Sequence, residues 1–203
     1  YYSFVVAKDE LGNFFLEDLK RNGVDTGWVY EQLPNGITGK CLVMTTPDAD
    51  RTMNTFLGIS SALAPVHVNE KAIAQSAYIY LEGYLVASPS GLEAMLEAKK
   101  LAAQHGTLVS VTLSDPNMVK YFSKQFDAVL EGGVDLLFCN EEEALTLCGT
   151  DDLEKAKAHL KTIAKNFVIT LGANGATVYD GNTHHDIKPF AVRAVDTNGA
   201  GDM

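Results

Sequence analysis

Three short runs, a β-rich one at 107–113 and nearly continuous apolar ones at 134–139 and 167–171, mark the second half of the chain, and the stretches between them carry apolar residues at helical spacing. Runs of this kind read as strands covered on both faces. Strands that alternate with helices in this way assemble into a parallel α/β sheet, not a bundle or a sandwich. Local signals agree. Ser90 and Glu93 have the spacing of a capping box ahead of Leu92, Met95, Leu96 and Leu101, and His105-Gly106 closes that helix. Asp115-Pro116 offers an N-cap and first position for a helix carrying Val119, Phe122, Phe126 and Val129 on one face. A short helix from Glu141 and another over 152–164 complete the alternation.

Two other regions have antiparallel character. Asp180-Gly181-Asn182 between 176–179 and 185–190 predicts a hairpin. Segments 37–44 and 51–57 flank the turn-rich Thr46-Pro47-Asp48-Ala49-Asp50 and form a more polar pair. That pair reads either as a lid projecting from the main sheet or as an ordinary edge hairpin. With no repeat and no linker-like stretch, residues 1–203 read as one continuous domain.

Composition narrows the function. Twenty-six acidic against 16 basic residues give a net charge of −10, which disfavours both nucleic-acid binding and an anionic membrane surface. Cys41, Cys139 and Cys148 are odd in number and form no C-x-x-C pair, so they read as reduced, buried thiols. No apolar run reaches the roughly 20 residues of a spanning helix. No basic-then-apolar leader precedes the first strand. Cytoplasmic residence is the expectation.

Most motif-like stretches carry no chemistry. Gly36-Ile37-Thr38-Gly39-Lys40-Cys41 fails as a P-loop, because Pro34 stands where the first glycine belongs and Cys41 where Ser or Thr belongs. His184-His185-Asp186 alternates in a predicted strand, so its neighbours point to opposite, solvent-facing sides. Glu141-Glu142-Glu143 suits a helix N-terminus, where negative charge is favoured. One motif survives: Asp196-Thr197-Asn198-Gly199-Ala200-Gly201-Asp202. Its small residues leave backbone N–H groups open to converge on an anion. A carboxylate directly after such an anion hole suits a base that takes the proton of a hydroxyl attacking phosphorus.

The D-T-x-G-A-G-D pattern resembles the C-terminal signature of the ribokinase-like (PfkB) family of sugar and nucleoside kinases. Asn140-Glu141-Glu142-Glu143 matches that family's N-x-x-E element, and Thr170-Leu171-Gly172-Ala173-Asn174-Gly175 resembles its nucleotide-side strand and turn. Val24-Asp25-Thr26 resembles the segment leading into its lid. Thr38-Gly39-Lys40-Cys41 and Asp50-Arg51-Thr52-Met53 resemble the T-G-x-C and N-R-S-L region of the adenosine kinase branch, with Lys40, Asp50 and Met53 departing from it.

The resemblance implies a three-layer α/β/α sandwich with a mostly parallel sheet and a small β lid at 37–57. It further implies that the chain is incomplete at both ends. The implied activity is ATP-dependent transfer of phosphate to a primary hydroxyl of a sugar or nucleoside, adenosine first. Alternatives are a kinase for ribose or fructose, or a non-catalytic sugar or nucleoside sensor on the same fold. Asp202 would be the base, assisted by the backbone N–H groups of Gly199, Ala200 and Gly201. Asn140, Glu143, Thr170, Gly172 and Gly175 would serve the nucleotide, with Glu143 reaching Mg²⁺ through water. Cys41, Arg51, Met53 and Leu57 would face the acceptor. Asp196 and Asn198 would serve a monovalent cation such as K⁺. The expected partner is a small molecule, and the expected state is a monomer or homodimer.

Overall fold

The computed structural model describes residues 1–26, 30–33, 35–46, 51–192 and 199–200. The chain divides into two compact units, Tyr1–Leu63 with Phe190–Met203, and Ala64–Pro189.

The first unit opens with β1 (Phe4–Ala7), α1 (Glu10–Arg21) and β2 (Tyr30–Leu33). β1 and β2 pair in parallel, Phe4 opposite Tyr30. Every residue of β1 is buried, and Leu16 of α1 packs on Phe4 and Val6 with Phe15 and Leu19 beside it. The helix starts at Asp9, whose side chain accepts the Gly12 N–H. β3 (Lys40–Thr45) and β4 (Arg51–Phe56) then form a separate two-stranded antiparallel ribbon. All of its residues are exposed except the half-buried Val43.

The second unit contains α2 (Glu70–Ala74), β5 (Tyr78–Glu82), α3 (Pro89–His105), β6 (Leu108–Thr112), α4 (Pro116–Tyr121) and α5 (Ser123–Leu130). It continues with β7 (Val134–Asn140), α6 (Glu141–Cys148), α7 (Leu153–Ile163), β8 (Ala164–Thr170), β9 (Ala176–Tyr179) and β10 (His184–Ile187). The strands form one sheet in the order β10-β9-β8-β7-β6-β5. β5 to β8 are parallel, and β9 and β10 add antiparallel at one edge. Consecutive strand residues face opposite sides of a sheet. Val109, Ser110 and Val111 are all buried, so β6 is covered on both faces and the unit is a layered α/β structure. Phe126, Leu137, Leu160, Phe167 and Ile169 lie at its centre with no exposed surface.

Several local expectations shift. The cap of α3 is Ser88, whose hydroxyl accepts the Gly91 N–H at 3.0 Å, and not Ser90. Pro89, with fixed φ and no N–H, occupies the first helical position and moves the start forward. The helix expected through Phe126 is two helices. Phe122 donates its N–H to Met118 O, ending α4, while its own carbonyl accepts from Gln125 and Phe126 and starts α5. Val119, Phe126 and Val129 remain buried across the break. β8 begins directly after α7, and β10 stops at Ile187. All three cysteines are free thiols, but only Cys139 is buried. Cys148 is half-buried and Cys41 is exposed, because the ribbon carries it in the open.

Candidate functional site

Parallel strands present all their carboxyl ends at one edge, and in open α/β sheets that edge is where ligands bind. β7 ends at Asn140 and β8 at Thr170, and the ladder sets these two residues directly opposite each other. Two positions 30 apart in sequence, both expected to serve the nucleotide, are thus register partners.

Asn140 also caps α6. Its Oδ1 accepts the Glu143 N–H at 2.8 Å, its N–H donates to Glu143 Oε2 at 3.0 Å, and its Nδ2 donates to Glu143 Oε1 at 2.9 Å. This is a reciprocal capping box with one additional bond. It holds a carboxylate that is only 4% exposed. Burial raises the Glu143 carboxyl above its ordinary value. The Asn140 N–H pulls it back down, and the charges of Asp115 and Glu142 add to the rise. With Glu141 and Glu142 in the same turn, this helix N-terminus favours a cation over a bare phosphate.

Beyond Thr170 the chain turns within five residues. Gly175 N–H donates to Gly172 O, and Leu171 N–H to Gly175 O. Gly175 has φ +94, and a Cβ there would lie 2.0 Å from Ile187 O, so the turn closes only on glycine.

The same edge holds residues that sequence reasoning did not assign to a site. Ser114, just past β6, has φ +70, a costly conformation for a side chain larger than hydrogen. Its hydroxyl donates to Glu82 Oε2 at the end of β5 (3.4 Å), and its carbonyl accepts the Tyr84 hydroxyl (3.2 Å). Asp115 follows; it accepts the Asn117 N–H at 2.7 Å and faces Glu143 electrostatically. Asp115-Pro116 was readable as a helix start, but no local pattern reports a positive φ at a serine.

In the ribbon, directly opposed residues share a face. Cys41 opposes Thr55, Val43 opposes Met53, and Thr45 opposes Arg51. Cys41, Arg51 and Met53 therefore lie on one face, together with Val43. The Cys41 sulfur sits 3.3 Å from the Thr55 hydroxyl. Leu57 lies just past β4 and is 53% exposed. Of the glycine-rich motif, Gly199 has φ +75 and Ala200 is exposed. Asp196, Asn198, Gly201 and Asp202 lie outside the described residues. His184, His185 and Asp186 are exposed, and His185 pairs with Asp180 at 2.7 Å. Among the described residues, no group of three His, Cys, Asp or Glu could hold a metal ion, and no helix is long and apolar enough to cross a membrane.

The sequence profile of the pfkB family carbohydrate kinases matches residues 1–203. The chain belongs to that family. The solved adenosine kinase of Sinorhizobium meliloti superposes with a TM-score of 0.92 at 34% identity, covering 99% of this chain and 62% of that one. A ribokinase of Staphylococcus aureus (strain COL) is 25% identical over 97% of this chain and 63% of its own length. A 5-dehydro-2-deoxygluconokinase of Clostridium beijerinckii is 28% identical over 97% and 62%. The chain thus spans less than two thirds of the length of each of these relatives. Family membership places the Asn140–Glu143 box and the Thr170–Gly175 turn in a ribokinase-like α/β fold with a mostly parallel six-stranded sheet.

Proposed function

We propose that the chain transfers phosphate from ATP to a primary hydroxyl of a sugar or nucleoside, with adenosine the preferred acceptor. The observation that carries this reading is the buried Asn140–Glu143 box at the carboxyl end of β7, in register with Thr170, in a chain matched end to end by a family of kinases. The names of the relatives differ in acceptor. One feature favours a nucleoside: Cys41, Val43 and Met53 lie together on one ribbon face, beside Thr45, Arg51 and Thr55, and offer apolar surface better suited to a flat base than to a free sugar.

Phosphoryl transfer asks a protein mainly for positioning and charge stabilisation. In this reading Asp202 accepts the proton of the attacking hydroxyl, and the N–H groups of Gly199, Ala200 and Gly201 bind the negative charge of the moving group. Thr170, Gly172 and Gly175 hold the nucleotide, while Arg51, Met53, Cys41 and Leu57 face the acceptor. Mg²⁺ bound with the nucleotide supplies charge neutralisation on its phosphates. The donor set fits an indirect role for Glu143. Each of its oxygens already accepts one Asn140 donor and keeps a second lone pair, enough to order a metal-bound water. Asp196 and the Asn198 carbonyl are assigned to a K⁺ ion. The partner is a small molecule, not nucleic acid or membrane, and the protein acts in the cytoplasm as a monomer or homodimer.

The test is ATP consumption with adenosine, ribose and fructose as acceptors, for the wild type and Asp202→Asn. The variant loses roughly 10²–10⁴-fold in kcat while acceptor binding changes little. Near-normal turnover would remove Asp202 from its role, and binding without any turnover in the wild type would leave a sensor.

A further inference from the structure

None of the described ribbon residues is buried, so the ribbon's orientation is governed where it joins β1 and α1. That root is built with unusual care. Asp9 Oδ1 accepts both the Gly12 N–H at 2.8 Å and the Thr38 hydroxyl at 2.6 Å. Asp9 Oδ2 accepts the Thr38 N–H at 2.8 Å, and the Thr38 hydroxyl oxygen accepts the Ala7 N–H at 3.0 Å. One carboxylate and one buried hydroxyl therefore join the end of β1, the start of α1 and the entry to β3. The returning strand meets the same place. Ile59 N–H donates to Ile37 O at 2.9 Å, and the Ser60 hydroxyl reaches Val5 O at 3.4 Å. A Cβ on Gly58 would sit 2.2 Å from Ile37 O, and one on Gly39 would sit 2.6 Å from Leu57 O, so the two stalks cross backbone against backbone.

An N-cap needs only one side-chain oxygen on one amide. The second oxygen of Asp9 and the Thr38 hydroxyl exceed what α1 requires. The Thr38 bonds, side chain first, hold the Asp9 carboxyl below its ordinary range, which keeps it ionised as an acceptor.

We propose that Asp9 and Thr38 form a latch that fixes the ribbon's orientation, and that both are positioning residues for the acceptor. The kinetic consequence rests on the proposed contact between acceptor and the Cys41, Arg51 and Met53 face. Thr38→Val removes the hydroxyl but leaves the Gly12 cap intact, and Thr38→Ser retains the hydroxyl.

Hydrogen exchange and steady-state kinetics on the full-length protein separate the outcomes. In Thr38→Val, amide exchange at 37–45 and 51–60 accelerates about tenfold while the large sheet is unchanged. Acceptor KM rises about tenfold with KM for ATP unaltered, as expected when only acceptor binding is lost. Thr38→Ser restores both. Wild-type ribbon exchange in folded Thr38→Val overturns the latch, as does faster exchange spread evenly over the molecule. If Thr38→Val does not fold, Asp9→Asn is read the same way, since its amide must set a donor against Thr38 N–H or Gly12 N–H. If the wild type phosphorylates none of adenosine, ribose and fructose, the kinase reading fails while the exchange comparison still decides the latch.

Discussion

The ribbon and the large sheet use similar residues in opposite ways. Leu42, Met53 and Phe56 are 62%, 47% and 49% exposed, whereas Leu137, Phe167 and Ile169 are at 0%. The difference is strand number. A two-stranded pair cannot cover its own faces and is marginal alone in water, whereas a six-stranded sheet with helices packed against it buries consecutive residues of β6. Stability therefore resides in the sheet. The ribbon is held by its root and leaves apolar side chains exposed on both faces.

Substitutions can break that contrast. The largest effect is expected at Phe167, packed against Tyr179 at 5.2 Å and His184 at 5.7 Å between ring centroids. Phe167→Ala costs about 3–5 kcal/mol by urea unfolding. A loss below about 1 kcal/mol would place the stabilising core elsewhere.

Glu143→Gln comes next, with kcat lower by about 10–100-fold. Its stability also has a defined pH dependence. Burial raises the Glu143 carboxyl above 4.5, so the folded chain holds that proton to higher pH than the unfolded chain. The favourable contribution is complete below the unfolded value and lost as pH rises through the folded one. Wild-type Tm therefore falls relative to Glu143→Gln as pH rises from 4.5, and parallel Tm curves would remove the buried charge from the account.

Smaller effects separate the two ribbon faces. Met53→Ala raises acceptor KM about tenfold and leaves stability within about 0.5 kcal/mol. Phe56 lies on the other face, opposite Lys40, and Phe56→Ala changes stability by less than about 0.5 kcal/mol with KM unaltered. A larger loss there would show that the second face is covered in solution.

The alternation of apolar runs was enough to read a parallel sheet, and Asp115, Asp152 and Gly106 marked helix ends where the structure has them. What escaped was geometry without a residue signature. Ser88 took the cap from Ser90 because a proline stood beside it, and Phe122 broke a helix whose apolar face continued unbroken. Asn140-x-x-Glu143 was visible as a pattern, but the pattern is shared by ordinary helix caps. Only the fold shows Glu143 to be buried and Asn140 to stand beside Thr170. Likewise, Asp9 and Thr38 have no sequence pattern linking them across 29 positions.

By itself, the sequence determined the class of fold and the alternation of strands and helices in its second half, because periodicity and side-chain type are local properties. The tertiary structure alone decided which distant residues meet. Strand register set Asn140 against Thr170, and burial lifted the Glu143 carboxyl. A carboxylate at the end of β1 anchored the ribbon that carries Cys41, Arg51 and Met53. Such encounters depend on how distant segments close upon each other, which no local window of sequence contains.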